Sequence, residues 1–266
     1  MSAPVRIEHE GAVARVVLAR PEVRNAFDAA TIAALHAAFV ELGADGSVRV
    51  IVLTADGPAF CAGADLRYMQ EMAQYSEAQN RDDALRLAHM LRAVAECPKP
   101  VIARVQGDAF AGGVGLVAAC DLAVAASSAR FCLSEVKLGL IPATIMPYVL
   151  RAIGERAAQR YTLTAEVFDA ATAQRVGLVH EVAADAAALD AQVARWVRQL
   201  LAASPQALAA AKTLIADVAH RHLGDALLAD TAERIAAARA SRDGREGIAA
   251  FLNRRQPDWV GSPDLT

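Results

Sequence analysis

The feature that most constrains this chain is an alternation of strand and helix patterns. Strand-like runs, the β-branched Val48–Thr54 (VRVIVLT) and then Val101–Val105 (VIARV) and Asp121–Ala126 (DLAVAA), are separated by loops and helix-forming stretches. This repetition predicts an α/β domain with short crossovers, since parallel strands need an intervening segment to return to the same sheet. Val5–His9 and Val13–Leu18 around Gly11 read as a hairpin ahead of it. Ile32, Leu35, Phe39 and Leu42 recur at helical spacing. So do Leu87, Leu91 and Val94, on a helix whose start, Ser76 with Gln79, has a capping-box pattern. After about Thr144 the strands nearly vanish, with Leu178–Val182 the last good one. Leu189, Val193, Trp196, Val197 and Leu200 then form an amphipathic helix, with Trp196 on its core face, and Ser204-Pro205 is a clean helix start. These patterns predict an α/β core over 1–195 and a helical C-terminal subdomain over 196–266.

Composition narrows the function classes. Hydrophobic residues make up 55% of the 266, but about one residue in four is alanine, so the apolar content is mostly small side chains on helices. Uncharged stretches such as Ala109–Cys120 and Leu138–Leu150 fall short of the roughly 18–20 apolar residues of a spanning helix. No membrane association is expected, and the start MSAPVRIEHEG shows no apolar signal-peptide region. Cys61, Cys97, Cys120 and Cys132 have no C-x-x-C spacing, which points to the cytoplasm rather than to a disulfide framework or zinc cluster. His220 and His222 bracket Arg221 with no third ligand near, so no metal is expected. A net charge of −3 without a Lys/Arg block gives no footprint for nucleic acid.

Two loops can carry chemistry. Ala62-Gly63-Ala64-Asp65-Leu66 and Ala111-Gly112-Gly113-Val114-Gly115 each connect a strand to a helix. Helix N-termini offer unpaired N–H groups to negative charge, and glycine lets a ligand approach the backbone. Two such loops facing one point make an oxyanion hole; alone, each reads more readily as a tight strand–helix turn. Gly113–Ala118 also fits the dinucleotide fingerprint G-x-G-x-x-A. Its context argues against a dehydrogenase: six residues separate VIARV from Gly112, and Asp121 opens a new strand almost at once.

Taken together, Arg20–Phe27 (RPEVRNAF), Ala59–Leu66 (AFCAGADL), Pro98–Asp121 (PKPVIARVQGDAFAGGVGLVAACD), Phe131–Pro142 (FCLSEVKLGLIP) and Gly247–Pro257 (GIAAFLNRRQP) resemble the crotonase (enoyl-CoA hydratase/isomerase) family. The resemblance runs in order along nearly the whole chain. It implies a spiral of ββα units with a helical C-terminal subdomain that covers the active site and joins a homotrimer or a dimer of trimers. It implies an acyl-CoA thioester substrate and no cofactor beyond the coenzyme A of that substrate. By position, Ala64 and Gly112 resemble the two N–H groups that polarise the thioester carbonyl. The stretch Ala62–Leu66, Asp65 included, resembles the adenine-binding segment, and Gly113 and Gly115 belong to the second loop. Arg24 is a candidate for the CoA phosphates, or else a solvated surface arginine.

Many hydratases of the family carry two glutamates. One is matched by Glu135; the other position holds Gly115. Glu135 is the candidate acid/base, the alternative being an exposed glutamate paired with Lys137. Isomerisation needs one group that lifts and returns a proton, so acid–base logic alone favours an isomerase. The finer resemblance, GGVGLVAACD with LSEVKLGLIPA and RAIGERAA, is to a bacterial branch of methylglutaconyl-CoA-type hydratases. Hydratase is therefore the leading expectation, with isomerase and a catalytically silent member as alternatives. Arg67 is a candidate partner for a distal substrate carboxylate, and Asp108 a candidate stand-in for the missing glutamate. Tyr68, Met69 and Met72 line either an acyl pocket or the core.

Overall fold

The computed structural model describes residues 3–260. The chain opens with the antiparallel pair β1 (Val5–Glu10) and β2 (Val13–Leu18), followed by α1 (Ala29–Ala44), whose N-cap Asp28 accepts from the N–H of Thr31. The architecture then rests on one repeated step. β3 (Val50–Ala55) is followed by β4 (Ala59–Cys61), and α2 (Leu66–Met72) and α3 (Glu77–Ala95) return the chain. β5 (Val101–Val105) is followed by β6 (Asp108–Phe110) and α4 (Gly112–Ala119). β7 (Leu122–Ala126) is followed by β8 (Arg130–Cys132) and, after a 3₁₀ turn at Glu135–Leu138, α5 (Met146–Thr164).

The first strand of each step joins a six-stranded sheet and the second a four-stranded one. β9 (Phe168–Asp169) closes the small sheet against β8; α6 (Ala170–Val176) then leads to β10 (Glu181–Ala183) at the edge of the large sheet, beyond β7. This is the spiral of ββα units expected from the sequence. β3, β5 and β7 pair in parallel, and their residues are almost all buried, as expected for a sheet covered on both faces. One face packs on α1, α3 and α4 through Leu35, Phe39, Leu91, Val94 and Leu116. The other takes α7 (Ala186–Ala202) through Leu189 and Val193, with Trp196 half-buried at the edge of that cluster.

Residue 195 lies inside α7, so the change from core to tail comes after this helix, at Ala203. α8 (Pro205–Val218), capped by Ser204, α9 (Asp225–Ala240) and α10 (Arg242–Leu252) follow. Lys212 of α8 ties the tail to the core, reaching Asp121 at 2.7 Å, while Asp121 also accepts from the N–H of Val101 at 2.8 Å. The capping box at Ser76 and Gln79 is formed. No helix among the described residues is long and apolar enough to cross a membrane.

Candidate active site

The site is built at the C-terminal ends of β4, β6 and β8, neighbouring parallel strands of the small sheet. Strand ends are where open α/β sheets place ligands. β4 leads into Ala62–Leu66, β6 into Ala111–Gly113, and β8 into Leu133–Glu135. The N–H of Ala111 donates to the carbonyl of Cys132 at 2.8 Å, which joins the second loop to the segment carrying Glu135. The first loop meets the second at Gly63 (φ +91°). A Cβ there would stand 3.0 Å from the Cβ of Ala111 and 3.8 Å from the nitrogen of Gly112. Only glycine combines that φ with so close an approach.

Phe27 fixes Ala64. Its N–H donates to Gly63 O at 2.6 Å, and its carbonyl accepts from the N–H of Asp65 at 2.7 Å. These two bonds bracket Ala64, so its own N–H faces the other way, and no backbone acceptor among the described residues takes it. The N–H of Gly112, at the first position of α4, is equally free of a backbone acceptor. Ala111 before it adopts φ 48°, ψ −117°, a conformation that costs about 1–3 kcal/mol in a non-glycine residue and marks a site held by its surroundings. The Phe27 ring lies against Gly112, where a Cβ would come within 2.8 Å of Cε2. One phenylalanine therefore braces both N–H groups. At Gly113 a Cβ would overlap the carbonyl oxygen of Cys61, so α4 can approach β4 only through glycine.

Glu135 opens the 3₁₀ turn and is half-buried, with Oε2 enclosed and lacking any hydrogen-bond partner. Burial pushes its carboxyl above the usual carboxylate range. Lys137 does not pair with it; its Nζ donates to the carbonyl of Ala165 at 2.6 Å. Gly115 faces hydrocarbon: a Cβ there would overlap Cγ2 of Ile145 and lie 2.6 Å from its Cβ.

Other expected site residues have structural partners of their own. Asp65 is buried at the N-cap of α2, accepting from Arg67 N at 2.9 Å and from Arg20 at 2.9 Å. Burial opposes its ionisation, but the Arg67 N–H and the Arg20 guanidinium hold its carboxyl below the usual range. Its side chain thereby shapes the loop. Asp108 is not a free acid: Arg130 takes it with two bonds, at 3.1 and 2.6 Å, and Arg24 with one at 3.0 Å. Both arginines favour its ionised form, which suits a structural anchor better than a proton donor. Tyr68 is core, its hydroxyl donating to the buried carboxylate of Asp83.

Ala64, Leu66 and Arg67 are exposed beside the first loop, Ala62 is partly covered, and the Arg67 guanidinium has no carboxylate partner among the described residues. Arg24 is also exposed, beyond its contact with Asp108. His220 and His222 are exposed, and no three His, Cys, Asp or Glu side chains gather among the described residues.

Sequence reasoning missed the braces. Asn25 (φ 55°) is buried and donates to the carbonyls of Asp56 and Ala59, at 2.8 and 2.9 Å. Arg20 links Asp28, Asp65 and the carbonyl of Ala26, each at 2.9 Å. The available signal was the Arg-Asn pair after a proline, a pattern that suits a left-handed turn. Nothing local marks Phe27 or Ile145.

A family model described as enoyl-CoA hydratase/isomerase matches residues 8–262. An enoyl-CoA hydratase from Shewanella pealeana, of known structure, is 41% identical with a TM-score of 0.93, covering 96% of each chain. Pseudomonas aeruginosa AtuE is 37% identical with a TM-score of 0.93, over 97% of this chain and 100% of its own. The (E)-benzylidenesuccinyl-CoA hydratase of Thauera aromatica is 33% identical over 275 residues, 97% of this chain and 100% of that protein. Sequence and architecture agree over almost the whole length: the chain belongs to the enoyl-CoA hydratase/isomerase family and is an enzyme of the crotonase type.

Proposed function

We propose that the protein adds water across the C2=C3 bond of a 2-enoyl-CoA thioester, with Glu135 as its single acid/base. The observation that carries this reading is the enclosed, unpartnered Oε2 of Glu135, next along the small sheet from two free N–H groups. The thioester carbonyl accepts from Ala64 and Gly112. As water attacks C3, the developing enolate charge collects on that oxygen, where preorganised donors stabilise it most. Glu135 takes the proton from the attacking water and returns it to C2, leaving the carboxylate as it began. A raised carboxyl pKa suits a group that must both take and give a proton near neutrality.

The substrate we favour is branched and carries a distal carboxylate, of the 3-methylglutaconyl-CoA type. Arg67, exposed and without an acidic partner, is the cation for that carboxylate. The Thauera relative supports the reading, because its named substrate is itself a carboxylated enoyl-CoA. Arg24 is assigned to the CoA phosphates and the backbone of Ala62–Leu66 to adenine, with no further cofactor. We also propose a homotrimer or a dimer of trimers, because α8–α10 expose the large apolar side chains Ile215, Ile235, Ile248, Phe251 and Leu252, which further copies of the chain would cover. The free, mostly buried cysteines fit a reducing cytoplasm.

The test is product mass from 3-methylglutaconyl-CoA, crotonyl-CoA and a 3-enoyl-CoA, with Glu135→Gln alongside. A gain of one water, lost in Glu135→Gln, supports the proposal. Unchanged mass with a moved double bond makes the enzyme an isomerase, a reading that the hydrocarbon over Gly115 favours. Binding of CoA with no turnover of any substrate makes it a silent member.

A further inference from the structure

Gly115 lies in the interior of α4 with ordinary helical geometry, so nothing in its backbone requires glycine. What requires it is Ile145, which is 2% exposed and stands at the N-cap of α5. A Cβ on residue 115 would overlap Cγ2 of Ile145, would lie 2.6 Å from its Cβ, and would reach ordinary contact only with its Cα, at 3.7 Å. The obstruction is the branched Cβ, not the far end of a flexible chain, and a β-branched residue has little rotamer freedom to withdraw. Ile145 is fixed from its own side as well. Its carbonyl accepts from Tyr148 and Val149, at 3.0 and 3.1 Å, and the segment from Glu135 runs into it through the turn at Gly139.

We infer that Ile145 is a specificity-determining residue: by filling the space over Gly115 it keeps a second carboxylate off α4 and so commits the site to chemistry by Glu135 alone. The inference deepens the proposed reaction and rests on it for its chemical half, while its packing half stands without any substrate. Reducing Ile145 to alanine does not open the position, because the obstructing Cβ remains. Only glycine at 145 clears it.

The experiment is a set of melting temperatures and product ratios for the full chain. Gly115→Ala ordinarily stabilises a helix interior. Here it is expected to lower Tm by about 5 °C, as overpacking does. It should lower Tm again in the Ile145→Ala background and raise it in the Ile145→Gly background. Gly115→Glu with Ile145→Gly should change the ratio of hydration to isomerisation about tenfold or more relative to Ile145→Gly alone, the scale of one added acid/base group.

A Gly115→Ala variant as stable as its parent overturns the inference, and that single change decides the matter even if Ile145→Gly fails to fold. So does a cost that is the same in all three backgrounds, or a Gly115→Glu single variant as stable as the parent whose ratio equals that of the double variant. A parent inactive on every enoyl-CoA refutes the proposed reaction instead, and leaves the melting-temperature comparison to judge Ile145.

Discussion

The α/β core and the C-terminal helices treat the same kinds of residue in opposite ways. Core strands β3, β5 and β7 bury nearly every side chain, and Phe39, Phe60 and Leu53 are wholly enclosed. In the tail, α8 buries no residue, α9 only Leu227 and α10 only Ala250, while Phe251 is 82% exposed. The alanine-rich tail has helix propensity in plenty but no second layer to pack against within one chain. Secondary structure and stability are thus separable here: the tail is helical by local preference, and the core is folded by burial. The two loops and Glu135 of the candidate site all belong to the core, where strained and unpartnered groups can be held.

The largest expected contrast lies inside the core. Glu135→Gln should lower turnover by about 10²–10⁴-fold without lowering stability. Burial makes the folded protein hold the Glu135 proton to higher pH than the unfolded chain does. Its contribution to stability is therefore complete below the unfolded carboxylate range and is lost as pH rises through the folded value. The variant should melt no lower than the parent at neutral pH, with any advantage gone near pH 4. Paired melts at both pH values check this, and a variant much less stable at neutral pH would make Glu135 a structural residue.

Next come truncations that set core against tail. Leu53→Ala should cost about 2–5 kcal/mol by urea unfolding. Phe251→Ser should cost within about 0.5 kcal/mol in the dilute monomer while reducing the sedimenting mass at high concentration. Equal costs would erase the distinction between the two regions. Asp108→Asn should weaken the grip on Arg24 and Arg130 and cost more in stability than in turnover; a selective loss of turnover would return Asp108 to the chemistry. The smallest effect should come from EDTA, expected to leave turnover unchanged.

Long elements were legible in the sequence, and short ones were not. Val13–Leu18 matches β2, and Ser204-Pro205 starts α8 as read. β4, β6 and β8 carry no strand signal in the sequence, because three residues hold too little alternation to register as a strand. The strand expected at Leu178–Val182 begins at Glu181, the apolar Leu178 and Val179 being buried ahead of it. The boundary at 195 fell within α7, since a helix that packs on the core and one that leaves it share the same periodicity. Glu135 was found from its motif, but whether it was paired with Lys137 depended on where Lys137 reaches, which local spacing leaves open.

By itself the sequence determined the alternating architecture, the glycines at the two loops and the positions of Glu135 and Gly115, and its ordered motifs carried the resemblance to the family. The first three are local, written in residue type and spacing. Tertiary structure decided that Asp65 meets Arg20 and Asp108 meets Arg24 and Arg130, that Phe27 braces both N–H groups, and that Ile145 occupies the space at Gly115. Each of these depends on contacts between residues far apart in the chain, 84 positions for Arg24 and Asp108. A side chain's role is fixed by what it meets, and these partners meet only when the sheets have formed.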